Sequence, residues 1–189
     1  MIKLDIVYCQ IYALIKSWFI QGIKTMEKQV DVLIIGAGIS GIGLAVHLSK
    51  NCPQRNFDIL ERRESFGGTW DLFRYPGIRS DSDMSTFGFN FKPWAKDKVL
   101  ASGAEIKGYL SDVISENQLK DKIHFGHRVL SANYDSTKKK WLVEIEDNNK
   151  KKQIWSANFV MGCTGYYNYD QGYAPKFPKQ EDFKGQFIH

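Results

Sequence analysis

VDVLIIGAGISG, residues 30–41, is the stretch on which the fold turns. VDVLII is an apolar run of the kind that forms a fully buried parallel strand. It leads straight into GAGISG and then into a helix carrying Leu44, Val46 and Leu48 on its apolar side. A second strand, FDILE, ends on Glu61, 20 residues after Gly41. Each glycine of the GxGxxG spacing answers a separate demand: Gly36 permits the tight turn, Gly38 lets the backbone approach a pyrophosphate, and Gly41 allows close packing of helix on strand. A pyrophosphate would sit at the helix N-terminus, where unpaired N–H groups and the helix dipole favour an anion. Glu61 would accept hydrogen bonds from an adenosine ribose and, being acidic, would disfavour a 2′-phosphate. The stretch therefore predicts an α/β fold of Rossmann type that binds a dinucleotide, rather than a glycine-rich turn in an unrelated α/β protein.

Working outward, residues 62–101 show no sustained periodicity. They hold eight aromatics from Phe66 to Trp94 and are broken by Gly67-Gly68 and Pro76-Gly77. A loop of that length in a compact domain is either functional or evidence against the element assignment. Phe87, Phe89, Phe91 and Trp94 are expected in the core. A helix is predicted around Glu105–Glu116, followed by short strands near Ile123–Phe125, Val129–Tyr134, Trp141–Glu146 and Gln153–Trp155, read together as an inserted antiparallel β-meander. A last buried strand, NFVMGC (158–163), ends at Thr164-Gly165. The remainder, rich in Tyr, Pro and Gly, reads as an interdomain linker. The predicted organisation is an N-terminal extension (1–25), a dinucleotide-binding domain (26–165) and the start of a linker (166–189).

At 189 residues, 43% hydrophobic and 25% charged, the chain is long enough for one ordinary globular domain. Its net charge of +5 is concentrated in the triplets Lys138–Lys140 and Lys150–Lys152, which flank an alternating strand. Those lysines read as a solvated hairpin that blunts an exposed edge, not as a nucleic-acid footprint. Three cysteines without a CxxC exclude a disulfide scaffold, a zinc site and a redox dithiol, and no metal is expected. His47, His124 and His127 lack any metal or triad spacing and are read as structural. In residues 1–25, Lys3, Gln10, Ser17, Gln21 and Lys24 share one helical face, but Asp5 and Lys16 interrupt the apolar side. No transmembrane span fits. An interfacial amphipathic helix and an upstream extension with translation starting at Met26 both remain open. A cytoplasmic protein is expected, with a peripheral membrane contact left open.

GGTW (67–70), RYPGIRSD (74–81), CTG (163–165) and FxGxxxH (183–189) together resemble the flavin-dependent Baeyer–Villiger monooxygenases. GGTWDLFRYPGIRSDSDM and GYYNYDQGY are most similar to the EthA-like, ethionamide-activating branch. The resemblance covers residues 29–189, and the order of the motifs matches the FAD domain of two-dinucleotide-binding flavoproteins. It implies that Gly36, Gly38, Ser40, Gly41 and Glu61 hold the adenosine half of FAD. It further implies that Gly68, Thr69, Trp70, Asp71 and Leu72 line the ribityl and isoalloxazine region, and that Val129 meets the adenine through its backbone. Thr164 and Gly165 complete the cofactor-binding set. Arg79, Ser80 and Asp81 fall where the family brings nicotinamide and flavin together, with Asp81 the catalytic candidate because it supports an arginine supplied by a later domain.

The implied activity is an NADPH- and O2-dependent monooxygenase that oxidises a ketone or a sulfide through a C4a-peroxyflavin. This chain departs from that pattern in lacking a second GxGxxG, the active-site arginine and the segments that complete the FAD domain. Two expectations follow: part of an active monooxygenase whose NADPH site lies mostly outside this chain, or a non-catalytic flavin-binding remnant. A dithiol–disulfide reductase on the same fold is disfavoured by the missing CxxC.

Overall fold

The computed structural model of the chain describes residues 28–187. The N-terminal extension, Met26 and the histidine of the FxGxxxH match lie outside the described residues. Six strands form one sheet: β1 (Lys28–Ile35), β2 (Phe57–Leu60), β3 (Ile123–His124), β4 (Arg128–Asp135), β5 (Lys140–Glu146) and β6 (Lys152–Gly162), in the order β3-β2-β1-β6-β5-β4. The β1–β2, β1–β6 and β2–β3 pairs are parallel; β4–β5 and β5–β6 are antiparallel. The sheet is thus the expected parallel Rossmann sheet joined edge-on to the expected meander. Helix α1 (Ile39–Asn51) connects β1 to β2, and α4 (Gly103–Glu116) precedes β3. Between β2 and α4 the only helices are the single turns α2 (Thr69–Leu72) and α3 (Met84–Phe87).

Two details differ from the sequence expectation. The runs at 153–155 and 158–163 are one strand, β6, whose first half pairs with β5 and whose second half continues beside β1. The polar Ser156 and Asn158 resemble an interruption in the sequence, yet Trp155, Ser156 and Ala157 are buried because the strand has neighbours on both sides there. Ile123–His124 is not a meander strand either. It pairs parallel with β2, because the chain returns from α4 by a crossover rather than a hairpin.

The core has two main parts. Val32, Ile34, Phe57 and Ile59 meet Ile42 and Val46 of α1 and Tyr109, Leu110 and Val113 of α4. Leu33 and Leu60 cluster instead with Val143, Ile145 and Trp155 of the meander. Phe89 and Phe91 stack at 4.7 Å between ring centroids and pack, part-buried, against the first cluster. The Tyr109 hydroxyl ties that segment down, donating to the Lys92 carbonyl at 2.6 Å and accepting the Phe89 amide at 2.8 Å. Helix α4 begins with a reciprocal capping box between Ser102 and Glu105. Bonds from the Ser102 hydroxyl and amide, with Lys98 beside it, push the Glu105 carboxyl down to about 2. At the sheet's edge His124 does act structurally: with Lys28 it holds the buried Asp58 carboxylate, at 3.1 and 2.9 Å. Among the described residues no helix is long and apolar enough to cross a membrane.

Beyond β1 the chain turns at Gly36, whose φ of +108° an L side chain rarely adopts, and a Cβ there would lie 2.5 Å from the Cys163 carbonyl oxygen. Helix α1 then doubles back so tightly that a Cβ on Gly41 would lie 1.9 Å from the Gly36 carbonyl oxygen. That obstacle is backbone and has nowhere to move. Gly41→Ala should therefore destabilise the chain by about 3 kcal/mol, as strongly overpacked sites do, read as a lowered urea midpoint. An unchanged midpoint would show that the turn has slack.

Candidate functional site

A cavity of about 690 Å³ opens at the carboxyl ends of β1, β2 and β6, where Ile35, Leu60 and Cys163 line its floor. This is the end at which open parallel sheets bind ligands, in the crevice beyond the strands. Gly36, Gly38 and Ser40 form one wall, and α1 starts there with Gly38 as N-cap and no side chain capping its first turn. The amides of that turn are thus left for an anion. The space at Gly38 is open: a Cβ would meet nothing nearer than the Gly68 Cα, at 3.9 Å. Gly41 lies beneath, buried, and serves the turn rather than the wall.

Glu61 reaches the cavity from the end of β2 but is 7% exposed. Its Oε2 accepts the Ala37 amide and its Oε1 the Arg63 amide, each at 2.9 Å. The acid therefore braces the glycine turn as well as facing the cavity. Each carboxylate oxygen has a second lone pair, so capacity to accept further hydroxyls is retained.

The opposite wall is the Gly67-Gly68 turn with Thr69 and Trp70. Gly67 and Gly68 both have positive φ, +112° and +54°, which brings the Gly68 backbone up against Gly38. Asp71 and Leu72, expected on this wall, do not line the cavity. Asp71 turns away and is 3% exposed. Its carboxylate pairs with Arg63 at 2.6 Å, with Lys107 of α4 and, at 3.7 Å, with Arg74, and it accepts the Ser65 hydroxyl at 3.3 Å. Arg63 also donates to the Gly68 carbonyl at 3.2 Å, so the buried acid holds the turn through the arginine. A run of residues in sequence suggests a shared wall; the single helical turn of α2 splits them between two sides.

Val129, at a bulge in β4, lines one end of the cavity with His127 and Arg128, while Thr164 and Gly165 close the far side of β6. Arg79, Ser80 and Asp81 lie apart from the cavity wall. Arg79 bridges Ser102, and the buried Ser80 hydroxyl accepts the Ala101 amide at 3.1 Å. Asp81 is exposed near the rim. There the Tyr167 phenol is pushed up first by its hydrogen bond with Tyr166, with the charge of Asp81 adding to the effect. Burial pushes the Cys163 thiol up as well, which keeps it an uncharged part of the floor. Among the described residues no cluster of His, Cys, Asp and Glu is arranged to hold a metal.

Sequence reading assigns no site role to Arg62, Arg63, Arg128 or Tyr166–Tyr169 and takes His127 as structural, yet all of them line the cavity. Asp170 pairs with Arg62 beside it. Tyr169 lines the cavity although its segment reads as linker. Its only local signal is the density of tyrosine and aspartate in GYYNYDQGY.

Asp71→Asn should cost about 2 kcal/mol, because the buried carboxylate loses its charge-assisted bonds to Arg63 and Lys107. Burial pushes the Asp71 carboxyl up, but Lys107 and Arg63 outweigh it and hold it below the usual range. A lowered carboxyl contributes stability that is present above its unfolded value of about 3.9 and lost as pH falls through its folded one. The gap between wild type and Asp71→Asn should thus be constant from neutral pH to about pH 5 and close below about pH 4. Denaturant midpoints across that range check it; a gap that persists in acid would mean the charge is not what matters.

Comparison with known proteins agrees with this geometry. Residues 34–99 match the NAD(P)-binding Rossmann-like domain family. The chain is 98% identical over 164 residues to an Acinetobacter protein named Probable FAD-binding monooxygenase AlmA, covering 87% of this chain and 33% of the relative. It is 51% identical over 164 residues to the FAD-containing monooxygenase EthA of Mycolicibacterium smegmatis, with the same coverage. Among solved structures, cyclohexanone monooxygenase from Rhodococcus sp. Phi1 bound to NADP+ superimposes with a TM-score of 0.67 at 28% identity, over 86% of this chain and 30% of that one. The OTEMO complex with FAD and NADP gives 0.66 at 27% identity, over 82% and 29%. The chain spans about a third of the length of the curated relatives it matches. Over that third it is a close homologue of the FAD-containing monooxygenases, and its fold resembles that of a cyclohexanone monooxygenase.

Proposed function

We propose that this chain is the FAD-holding portion of an NADPH- and O2-dependent flavin monooxygenase acting on a ketone or a sulfide. The observation that carries the proposal is the facing pair of glycine backbones, Gly38 and Gly68, at the uncapped start of α1. Side chains on either would fill the approach, and their absence keeps it open between the two backbones. The α1 amides would receive the pyrophosphate, with Ser40 at the rim, and Glu61 would accept ribose hydroxyls while its charge repels a 2′-phosphate. Val129 would meet the adenine, and Thr69, Trp70, Thr164 and Gly165 would border the flavin half. Bound flavin supplies the acceptance of hydride and the activation of oxygen.

The protein's part is to bind, orient and exclude water. The apolar floor of Ile35, Leu60 and Cys163 keeps solvent from one side of the cavity. Arg79, Ser80 and Asp81 belong, on this reading, to the place where nicotinamide and substrate approach, and Asp81 supports a catalytic cation rather than reacting itself. Oxygen transfer by the whole protein draws on more than this chain, since the relatives' activity resides in proteins about three times as long. The division at residues 25 and 165 into extension, FAD domain and linker belongs to the same proposal. Cytoplasmic placement is inferred from the unpaired Cys52 and Cys163.

The chain titrated with FAD should quench flavin fluorescence. Gly38→Leu should abolish the quenching by filling the gap toward Gly68, while Gly38→Ala should leave the thermal midpoint in place, since φ at Gly38 is an ordinary −79° and a Cβ there meets nothing nearer than 3.9 Å. Equal quenching by wild type and Gly38→Leu would refute the assignment of the site.

A further inference from the structure

After Gly165 the chain does not leave the molecule. Residues 166–170 run back across the cavity mouth, and two side chains fasten them on opposite sides. Asp170 receives both terminal nitrogens of Arg62, at 2.9 and 3.1 Å, immediately after the ribose-facing Glu61. The Tyr169 hydroxyl meets the Thr69 hydroxyl at 3.1 Å on the flavin-side wall. The Tyr169 ring lies 5.7 Å from the Arg62 guanidinium, and Phe73 packs edge-on against Tyr167 and Tyr169 at 6.2 Å. Within the strap, Asn168 accepts the Asp170 amide at 3.0 Å, which shapes the bend that presents both latch residues. The strap starts at Gly165, whose φ of +74° provides a hinge after β6.

We infer that Tyr169 and Asp170 are cofactor-retention residues: they latch residues 166–170 over the dinucleotide cavity, so that the strap must open for FAD to enter or leave. The inference rests on the FAD reading above. The cavity exists with the strap in place and Tyr166–Tyr169 forming part of its wall, so the strap covers the space rather than filling it. The latch is also weak enough to work reversibly. Arg62 and Asp170 are 34% and 66% exposed at their side chains. An exposed pair of this kind shifts an equilibrium by roughly five-fold at most. The hydrogen bond with Arg62, then the charges of Arg62 and Arg128, hold the Asp170 carboxyl below its usual range, which keeps the latch ionised at neutral pH.

A latch has a kinetic signature that a ligand contact lacks. Its bonds exist with or without ligand, so breaking it speeds entry and exit alike and leaves affinity nearly unchanged. Loss of a direct contact speeds exit only.

Stopped-flow flavin fluorescence on the 189-residue chain, with release measured against a scavenging apoflavoprotein, separates these cases. Asp170→Asn, outside the cavity lining, should raise both rates by roughly three-fold, with an unchanged thermal midpoint and a Kd within experimental scatter of wild type. Tyr169→Phe, whose ring also lines the cavity, should likewise raise both rates. FAD binding by the variants but not by wild type would support the latch more strongly still. Wild-type binding with unaltered variant rates, or with faster release alone, would overturn the latch and leave the FAD site standing. Absence of quenching in wild type and variants alike would overturn the FAD reading itself, and the strap's role with it.

Discussion

The carbonyl oxygen of Gly36 sits where a side chain on Gly41 would have to be, 1.9 Å from the missing Cβ. Everything at the site depends on that contact. It allows α1 to begin within three residues of the end of β1, so that the helix's first amides face the same space as the strand ends. Leu60 and Ile35 complete the arrangement by bonding the Gly36 and Cys163 amides, each at 2.8 Å, which places the ends of β2 and β6 at one level. A looser turn would separate the helix start from the strand ends, and the cavity would lose its floor.

Around this turn the molecule uses charge for position more than for chemistry. Glu61 holds the Ala37 amide, and Asp71 holds Gly68 through Arg63 while reaching α4 through Lys107. Both acids keep backbone close to the cavity, Glu61 at its wall and Asp71 from behind the opposite one. Buried carboxylates are tolerable only when every charge is matched, and these two are matched by amides, by cations or by both. The long segment between β2 and α4, with only two helical turns of its own, gains its shape from such bonds and from the aromatic stack that Tyr109 anchors.

Much of this was legible in VDVLIIGAGISG and FDILE, because a buried strand, a glycine turn and an acid at fixed spacing have few geometric solutions. That logic accounts for Gly36, Gly38 and Glu61, and Ser40, Gly68 and Thr69, implied by the family resemblance, line the same cavity. Sequence reading failed for Asp71, which the resemblance put on the same wall, because adjacency along a chain says nothing about which side of a one-turn helix a residue takes. It failed for Ile123–His124, because two residues carry no signal of strand direction. It joined Tyr169 and Asp170 to a linker, because their partners Arg62 and Thr69 lie about a hundred residues away in the chain.

What the sequence determined by itself is the type of fold and the chemistry of its glycine turn, since both follow from local spacing: period along a strand, absence of Cβ, and distance from helix start to acid. What only the tertiary structure decided is the membership of the cavity. Which side Asp71 faces, where β6 changes partners, and that residues 166–170 return across the mouth are all settled by contacts between distant segments. No local pattern in the sequence ranks one of those contacts above another.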